Sequence, residues 1–110
     1  MTRKNKKISK NEFRYNYDTK HINYIFEEDN KNYHSLGITH KKRTSGKNNM
    51  PLTYNPQKNK TDPSYIRNGI ITSRKYKYSN IDKRFSFSEE DKPRVKSKIR
   101  KYKSNRKYFK

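Results

Sequence analysis

Short segments in which apolar and polar residues alternate recur along this chain. The clearest are residues 22–26 and 33–40, which are separated by the acidic turn 27–30. Successive side chains of a β-strand point to opposite faces, so a period of two is typical of a strand with one buried face. The two segments and their turn predict an antiparallel hairpin, with His34 and His40 on the same face of its second strand.

Weaker alternation predicts three more strands. They fall at residues 50–54, at residues 65–72 with a bulge at Gly69, and at residues 81–87. Residues 11–18 fit either a strand or a short helix, and that choice stays open.

The period changes near the C-terminus. Val95, Ile99 and Tyr102 recur at spacings of four and three, which is typical of a helix with a narrow apolar stripe. Ser88 or Asp91 can cap this helix, and the residues after Tyr102 are expected to fray. The pattern as a whole predicts an α+β domain: a small curved antiparallel sheet or barrel of about five strands, a C-terminal helix and disordered basic ends.

The net charge of +20 is concentrated at the two ends of the chain. Residues 1–12 carry five basic residues and one acid, residues 92–110 carry ten basic residues and no acid, and residues 13–91 have an excess of only six. We therefore divide the chain into a flexible basic arm, 1–12, a mainly antiparallel β body, 13–91, and a basic amphipathic helix with its tail, 92–110. A polyanion that neutralises this charge would also stabilise the fold. RNA, another nucleic acid or an acidic protein such as an antitoxin meets that requirement.

Composition excludes several classes of protein. There is no cysteine, and therefore no disulfide framework, thiolate zinc site or cysteine nucleophile. No run of eighteen apolar residues occurs, so we expect a soluble, cytoplasmic protein with no membrane contact. On an extended strand His34 and His40 would lie about 20 Å apart, too far to share a metal. The sequence predicts no metal and no cofactor.

Basic residues interleaved with tyrosines predict contact with RNA phosphates and with unpaired bases. If the basic ends neutralise several phosphates, the affinity should fall by about 10³ to 10⁵ between 50 and 200 mM salt. The same charge runs also fit a solvated surface without a ligand. The candidate nucleic-acid-binding residues are His34, Lys41, Lys42, Arg43, Lys47, Arg74, Lys75, Lys96, Arg100, Lys103 and Arg106.

Metal-independent cleavage of RNA needs a group that takes the 2′-hydroxyl proton, cations that stabilise the phosphorane, and a donor for the leaving oxygen. His40, Tyr65 and Arg67 have side chains suited to these tasks and are the candidate catalytic residues. They flank the polar segments 41–49 and 55–63, which are expected to be loops that bring them together. A polar residue at a strand end explains a single histidine equally well.

Four short runs carry a family resemblance: LGITH at 36–40, PL at 51–52, NP at 55–56 and DPSYIR at 62–67. They resemble small basic proteins of phages and mobile elements in low-GC Gram-positive bacteria. In size and charge such proteins are similar to the barnase, EndoU, colicin and RelE assemblage of metal-independent RNases, many of which are toxins with an acidic antitoxin. The resemblance implies a toxin-type endoribonuclease, and no catalytic residue is carried over from it.

Three functions stay open on the sequence alone. The first is an RNA-binding protein that is also a metal-independent ribonuclease. The second is a non-catalytic nucleic-acid-binding or ribosome-associated protein whose basic ends thread into RNA. The third is an interaction protein held by an acidic partner. Catalysis requires that substitution of His40 or Arg67 abolish an effect while RNA affinity is retained, whereas pure binding requires that loss of residues 92–110 matter more.

Overall fold

The structure, a computed structural model, describes residues 7–108, with the side chains of residues 7–104. Nine strands, one 3₁₀ turn and one helix are present in this part of the chain. In chain order they are β1 (Ile8–Asn16), β2 (His21–Glu28), β3 (Asn32–Thr39), β4 (Arg43–Thr44), β5 (Lys47–Asn48), β6 (Met50–Pro51), β7 (Tyr65–Ile66), β8 (Ile71–Arg74), the 3₁₀ turn (Lys75–Lys77), β9 (Tyr78–Ile81) and α1 (Asp91–Tyr108).

An antiparallel meander of β1, β2 and β3 forms the centre of the sheet. The strand order is β6-β7-β3-β2-β1-β9, and β8 also pairs with β3. Bulges between Ser9 and Glu12 and between Ile25 and Glu27 interrupt the ladders and increase the local twist. The α+β prediction, with an antiparallel sheet and a C-terminal helix, is confirmed. The barrel alternative is wrong, because β6 and β9 stand at opposite ends of the order and do not pair.

The free edge of β3 is covered by two short strands instead of one long strand. β7 pairs with the last two residues of β3, and β8 pairs with residues 32–35. Between them the backbone N–H of Arg67 donates to the carbonyl of Gly37 at 2.9 Å. Gly69, with φ +79°, turns the chain between the two strands. The single strand predicted at 65–72 is therefore divided by this turn.

Apolar side chains are buried on both faces of the sheet, which explains why almost all of β3 is inaccessible. The segment from β8 to β9 crosses one face, where Tyr78 covers Tyr33 and Ile25. The larger cluster lies on the other face, under α1. Its buried members are Phe13, Phe26, Leu36, Ile38, Leu52, Ile66, Phe87 and Val95.

The start of α1 agrees with the predicted cap and stripe. The hydroxyl of Ser88 accepts from the backbone N–H of Asp91 at 3.2 Å, as a residue preceding a helix does in a capping box. Val95 is buried, and Ile99 and Tyr102 pack against the larger cluster. The helix continues to Tyr108, past its expected end, because lysine and arginine are good helix formers and suit a helix C-terminus.

The structure covers only part of the predicted N-terminal arm. Residues 8–12 belong to β1 instead of an arm, and residues 1–6 lie outside the described residues. The ammonium of Lys10 lies 3.2 Å from the carboxylate of Glu12 and 3.4 Å from that of Glu28. Pairing with β2 thus places the basic residue between two acids.

The polar segment 41–49 is more ordered than a loop. It forms the β4–β5 hairpin, in which Ser45 and Gly46 both have positive φ, +52° and +76°. Positive φ at both central residues is the geometry of a type I′ turn, which joins two antiparallel strands tightly. Within residues 7–108 no helix is long and apolar enough to cross a membrane.

Candidate nucleic-acid interface

Four basic side chains converge at the end of the sheet where β2 begins and β3 ends. They are His21, His40, Lys41 and Arg67, which we call the histidine–arginine cluster. His21 is the first residue of β2, and His40 directly follows β3. These two strands are paired, with Asn23 opposite Gly37, so the ladder brings the two ends together.

His21 is half-buried, and the charges of the other members of the cluster affect the pKa of its imidazole. Its burial lowers the pKa of the imidazole, and the charges of Arg67, Lys41 and His40 lower it further. Both causes disfavour the protonated form. The ring of His21 is therefore neutral at neutral pH, the state in which an imidazole accepts a proton.

His40 is exposed and is oriented by one hydrogen bond. Its Nδ1 donates to the carbonyl oxygen of Pro63 at 2.9 Å. A carbonyl can only accept, so Nδ1 keeps its hydrogen and Nε2 is the nitrogen that exchanges a proton with a ligand. Both histidines line a cavity of about 210 Å³, whose apolar wall includes Ile22 and Phe85.

Arg67 lies against the sheet because Gly37 has no side chain. A Cβ atom built on Gly37 would stand 3.1 Å from Cδ and 3.5 Å from Cγ of Arg67. The aliphatic part of Arg67 thus covers the backbone of β3. Such a contact limits the freedom of the guanidinium and reduces the entropy lost when it binds an anion.

The buried side chain of Asn49 ties together the two segments that carry Lys41 and Arg67. Its amide nitrogen donates to the carbonyl of Lys41 at 3.0 Å and to the hydroxyl of Thr44 at 2.8 Å. Its amide oxygen accepts from the backbone and side-chain nitrogens of Asn68, both at 3.0 Å. One residue therefore satisfies polar groups on both segments and sets their separation.

The positive charge of the cluster is not neutralised within the described chain. Among residues 7–104, neither Lys41 nor Arg67 forms an ion pair with a carboxylate. The β4–β5 hairpin adds the exposed side chains of Lys42, Arg43 and Lys47. Arg43 donates to the carbonyl of Gly46 at 2.7 Å, which holds its guanidinium over the hairpin.

Tyr65 and His34, two of the predicted residues, occupy different environments. Tyr65 is half-buried in β7 opposite Thr39, one position from His40. His34 is buried instead of lying on the surface. Its Nε2 donates to the carboxylate of Asp29 at 3.1 Å, and its Nδ1 is hydrogen-bonded to the hydroxyl of Thr72 at 2.9 Å. With both nitrogens engaged, His34 fixes the β2–β3 turn and presents no group to a nucleic acid.

The remaining predicted basic residues are not members of the cluster. Lys75 and Lys103 make ion pairs inside the protein, with Glu28 at 3.1 Å and with Glu27 at 3.5 Å. Arg74 is exposed at the far end of β3. Two predicted residues, Lys96 and Arg100, are exposed on α1. Arg106 belongs to α1, but its side chain lies outside the described residues.

His21 is the member of the cluster that the sequence pattern does not single out. It stands just before the alternating segment 22–26, where a histidine has no distinctive signal. The signal that locates it is the register of the hairpin, which brings residues before that segment to the end of segment 33–40. Among residues 7–104 no group of three or more His, Asp or Glu side chains is arranged to hold a metal ion.

Comparison of the chain with protein-family models, with curated proteins and with solved structures gives no match. The resemblance to metal-independent RNases therefore stays a prediction.

Proposed function

We propose that this chain binds RNA and cleaves the bound strand without a metal at the histidine–arginine cluster. The observation that carries the proposal is the convergence of two imidazoles and two cations that no carboxylate neutralises within the described residues. An unneutralised cation pair next to a neutral imidazole suits a phosphodiester, which brings both a negative charge and a proton to remove.

The chemistry assigns a different task to each histidine. His21, neutral and half-buried, takes the proton of the ribose 2′-hydroxyl as the 2′ oxygen attacks phosphorus. His40 donates a proton from Nε2 to the 5′ oxygen as the P–O5′ bond breaks. The products are a 2′,3′-cyclic phosphate and a free 5′-hydroxyl. Lys41 and Arg67 stabilise the additional negative charge on the phosphorane.

Tyr15 supports single-stranded RNA as the form that binds. It lines the same 210 Å³ cavity as the two histidines and is 36% exposed. Its ring lies 5.7 Å from that of Tyr17, which is also exposed. An unpaired base can stack on an exposed aromatic ring of this kind, whereas a base inside a duplex cannot.

We propose further that the protein is a toxin-type endoribonuclease of a phage or mobile element, acting in the cytoplasm and held by an acidic antitoxin. The resemblance and the net charge support this step. An acidic protein would engage the cations that otherwise meet phosphate, so it would inhibit cleavage and stabilise the fold together.

Substitutions within the cluster test the proposal. The purified chain is incubated with labelled single-stranded RNA in EDTA at a fixed salt concentration, and both retention and fragmentation are measured. His21→Asn and His40→Asn should each reduce cleavage by about 10² to 10⁴, the usual contribution of a general acid or base. RNA retention should change little, because Lys41 and Arg67, which carry the permanent positive charge of the cluster, stay in place.

A matched control separates the cluster from the overall charge. Arg67→Gln removes a positive charge beside His21, and Arg74→Gln removes the same charge at the far end of β3. Only Arg67→Gln should suppress cleavage. If the wild-type chain retains RNA but leaves it intact, the ribonuclease proposal is refuted and the protein is a non-catalytic RNA-binding protein. Poor folding of the purified chain until an acidic protein is added would favour the partner-held alternative.

A further inference from the structure

A second, larger cavity lies beside the histidine–arginine cluster and is not used by the proposed cleavage. Its volume is about 660 Å³, and it opens between β1, residues 81–87 and the first turns of α1. We call it the α1 cleft. Ligand sites for small molecules commonly enclose about 300 to 1,000 Å³, so this space suits a single nucleotide.

The wall of the α1 cleft is aromatic. Tyr24 and Phe85 are half-buried there, and behind them Phe13 lies 5.2 Å and 5.6 Å from the two rings between centroids. Packing on Phe13 limits the motion of both rings, and therefore reduces the conformational entropy that would be lost when a base packs against them.

A polar group suited to a base edge stands at the same wall. The side-chain oxygen of Asn11 accepts from the hydroxyl of Tyr24 at 2.9 Å. The acceptor of Asn11 is thereby occupied, and its amide N–H groups are left to donate. Donation from an asparagine amide is one of the ordinary ways in which a protein contacts a base edge.

The rim of the cleft carries four lysines, two of which are free to bind an anion. Lys10 and Lys92 are held by glutamates, whereas Lys83 and Lys96 form no ion pair among residues 7–104. The two acids of the lining, Glu12 and Asp82, are themselves paired with Arg14 at 2.9 Å and with Arg84 at 2.6 Å. The unbalanced charge of the cleft is positive, and it lies at the mouth.

The α1 cleft and the cavity of the two histidines share one wall residue. Phe85 lines both the 660 Å³ cleft and the 210 Å³ cavity at His21 and His40. An RNA strand that occupies both sites would have to pass Phe85.

We propose that the α1 cleft binds one nucleotide of an RNA strand, with its base against Tyr24 and Phe85 and its phosphate at Lys83 and Lys96. The inference rests on the proposed function in that the strand is the one cut at the cluster. It adds a second subsite, at which the protein contacts the base and the phosphate of one nucleotide of that strand.

The test uses small probes that are not cut. Adenosine monophosphate and ribose 5-phosphate carry the same phosphate, but only the first has a base. Titrated into the full chain and followed by NMR, adenosine monophosphate should shift the ring resonances of Tyr24 and Phe85, and ribose 5-phosphate should not. Equal shifts with both probes, or shifts confined to other rings, would overturn the proposal.

Two substitutions on one helix provide the matched comparison. Lys96→Glu and Lys101→Glu make the same change of charge at exposed positions of α1, but only Lys96 lines the cleft. Lys96→Glu should lower the affinity for adenosine monophosphate by about tenfold or more. The phosphate loses a charged hydrogen-bonding partner and is repelled by the new carboxylate. Equal weakening by both would contradict the assignment.

A trinucleotide tests whether the cleft binds RNA or a free nucleotide. The trinucleotide ApApA is used with its 2′-hydroxyls methylated, so that the cluster cannot cut it. If it binds at least about tenfold more tightly than the mononucleotide, which corresponds to a second subsite, the cleft is assigned to RNA. Equal affinities assign it to a free nucleotide and overturn the RNA assignment. The two proposals can fail separately. If RNA is cleaved but adenosine monophosphate does not shift the Tyr24 and Phe85 resonances, only the nucleotide site is refuted. If those resonances shift but RNA stays uncut, only the cleavage is refuted.

Discussion

Replacement of Asp91 by asparagine should destabilise the fold severely, although the substitution keeps the size of the side chain. The carboxylate is fully buried, with 0% exposure. It accepts from the backbone N–H of Thr53 at 2.9 Å and of Tyr54 at 3.3 Å, from the hydroxyl of Ser88 at 3.1 Å, and from Arg94 at 2.9 Å. An asparagine amide has one acceptor oxygen, so at least one of these donors would face an N–H group.

The cost follows from the number of bonds lost. A hydrogen bond to a charged group contributes about 1.5 to 3 kcal/mol, and a buried donor left without a partner costs about 1 to 3 kcal/mol. Asp91→Asn should therefore lower the free energy of unfolding by about 2 to 5 kcal/mol, a large part of the 5 to 15 kcal/mol typical of a domain. The segment that Asp91 holds continues to Pro63, which orients His40, so the substitution also loosens the cluster.

Urea denaturation followed by far-ultraviolet circular dichroism measures this effect. Glu90→Gln is the matched control, because it removes an exposed acid from the residue before Asp91. We expect it to change the free energy of unfolding by less than about 0.5 kcal/mol. Equal midpoints for Asp91→Asn and Glu90→Gln would refute the reasoning.

The pH dependence provides an independent check of the charge at Asp91. Burial by itself would raise the pKa of this carboxyl, but the hydrogen bonds from Thr53, Tyr54 and Ser88 lower it below the ordinary value of 3.8. The ionised group therefore stabilises the fold above the unfolded pKa, and this contribution is lost as the pH falls through the lower folded pKa. The difference between wild type and Asp91→Asn should shrink in acid, and a constant difference down to pH 2 would contradict the account.

Three further predictions concern the β2–β3 turn and the cluster. His34→Ala should lower the free energy of unfolding by about 1 to 3 kcal/mol, because Asp29 loses a buried donor, while RNA affinity stays unchanged; a loss of affinity without a loss of stability would contradict this. Gly37→Ala should displace Arg67 and reduce RNA cleavage by about tenfold or more, and unchanged cleavage would show that the position of Arg67 is unimportant. Arg67→Gln should raise the pKa of His21 in an NMR titration, since burial and then the charge of Arg67 lower it; an unchanged value would place the guanidinium away from the ring.

The central hairpin and the helix can be predicted from the sequence, because the apolar residues of each recur at a spacing that fits only one type of secondary structure. Residues 22–26 and 33–40 alternate, and they form β2 and β3. The stripe of Val95 and Ile99 has the spacing of a helix and packs on the sheet as α1. Local pattern is sufficient for such elements.

Elements defined by distant partners do not follow from local pattern. The composition of residues 8–12 predicts a basic arm, yet these residues pair with β2. Lys10 lies between Glu12, two residues further along the chain, and Glu28 on the neighbouring strand. The strand predicted at 81–87 is wrong, because the observed strand is Tyr78–Ile81 and shares only Ile81 with it. β9 stops at Ile81, because the Asp82 carboxylate accepts from the backbone N–H of Arg84 and forms a turn.

In the candidate site, too, some residues can be predicted from the sequence and others depend on partners distant in the chain. His40 and Arg67 were selected for their side-chain chemistry, and the fold places them in one cluster. His21 requires the register of the hairpin to be known. His34 and Lys75 were selected for their charge, but their partners, Asp29 with Thr72 and Glu28, become visible only in the structure.

The most direct test of RNA cleavage at the cluster is a comparison of two labelled RNA strands of the same sequence in EDTA. One strand is unmodified, and in the other every 2′-hydroxyl is methylated, so that His21 has no proton to remove. We predict that the chain retains both strands, cuts only the unmodified one, and leaves 2′,3′-cyclic phosphate ends. Cleavage of the methylated strand, or retention of both strands without cleavage, would contradict the account.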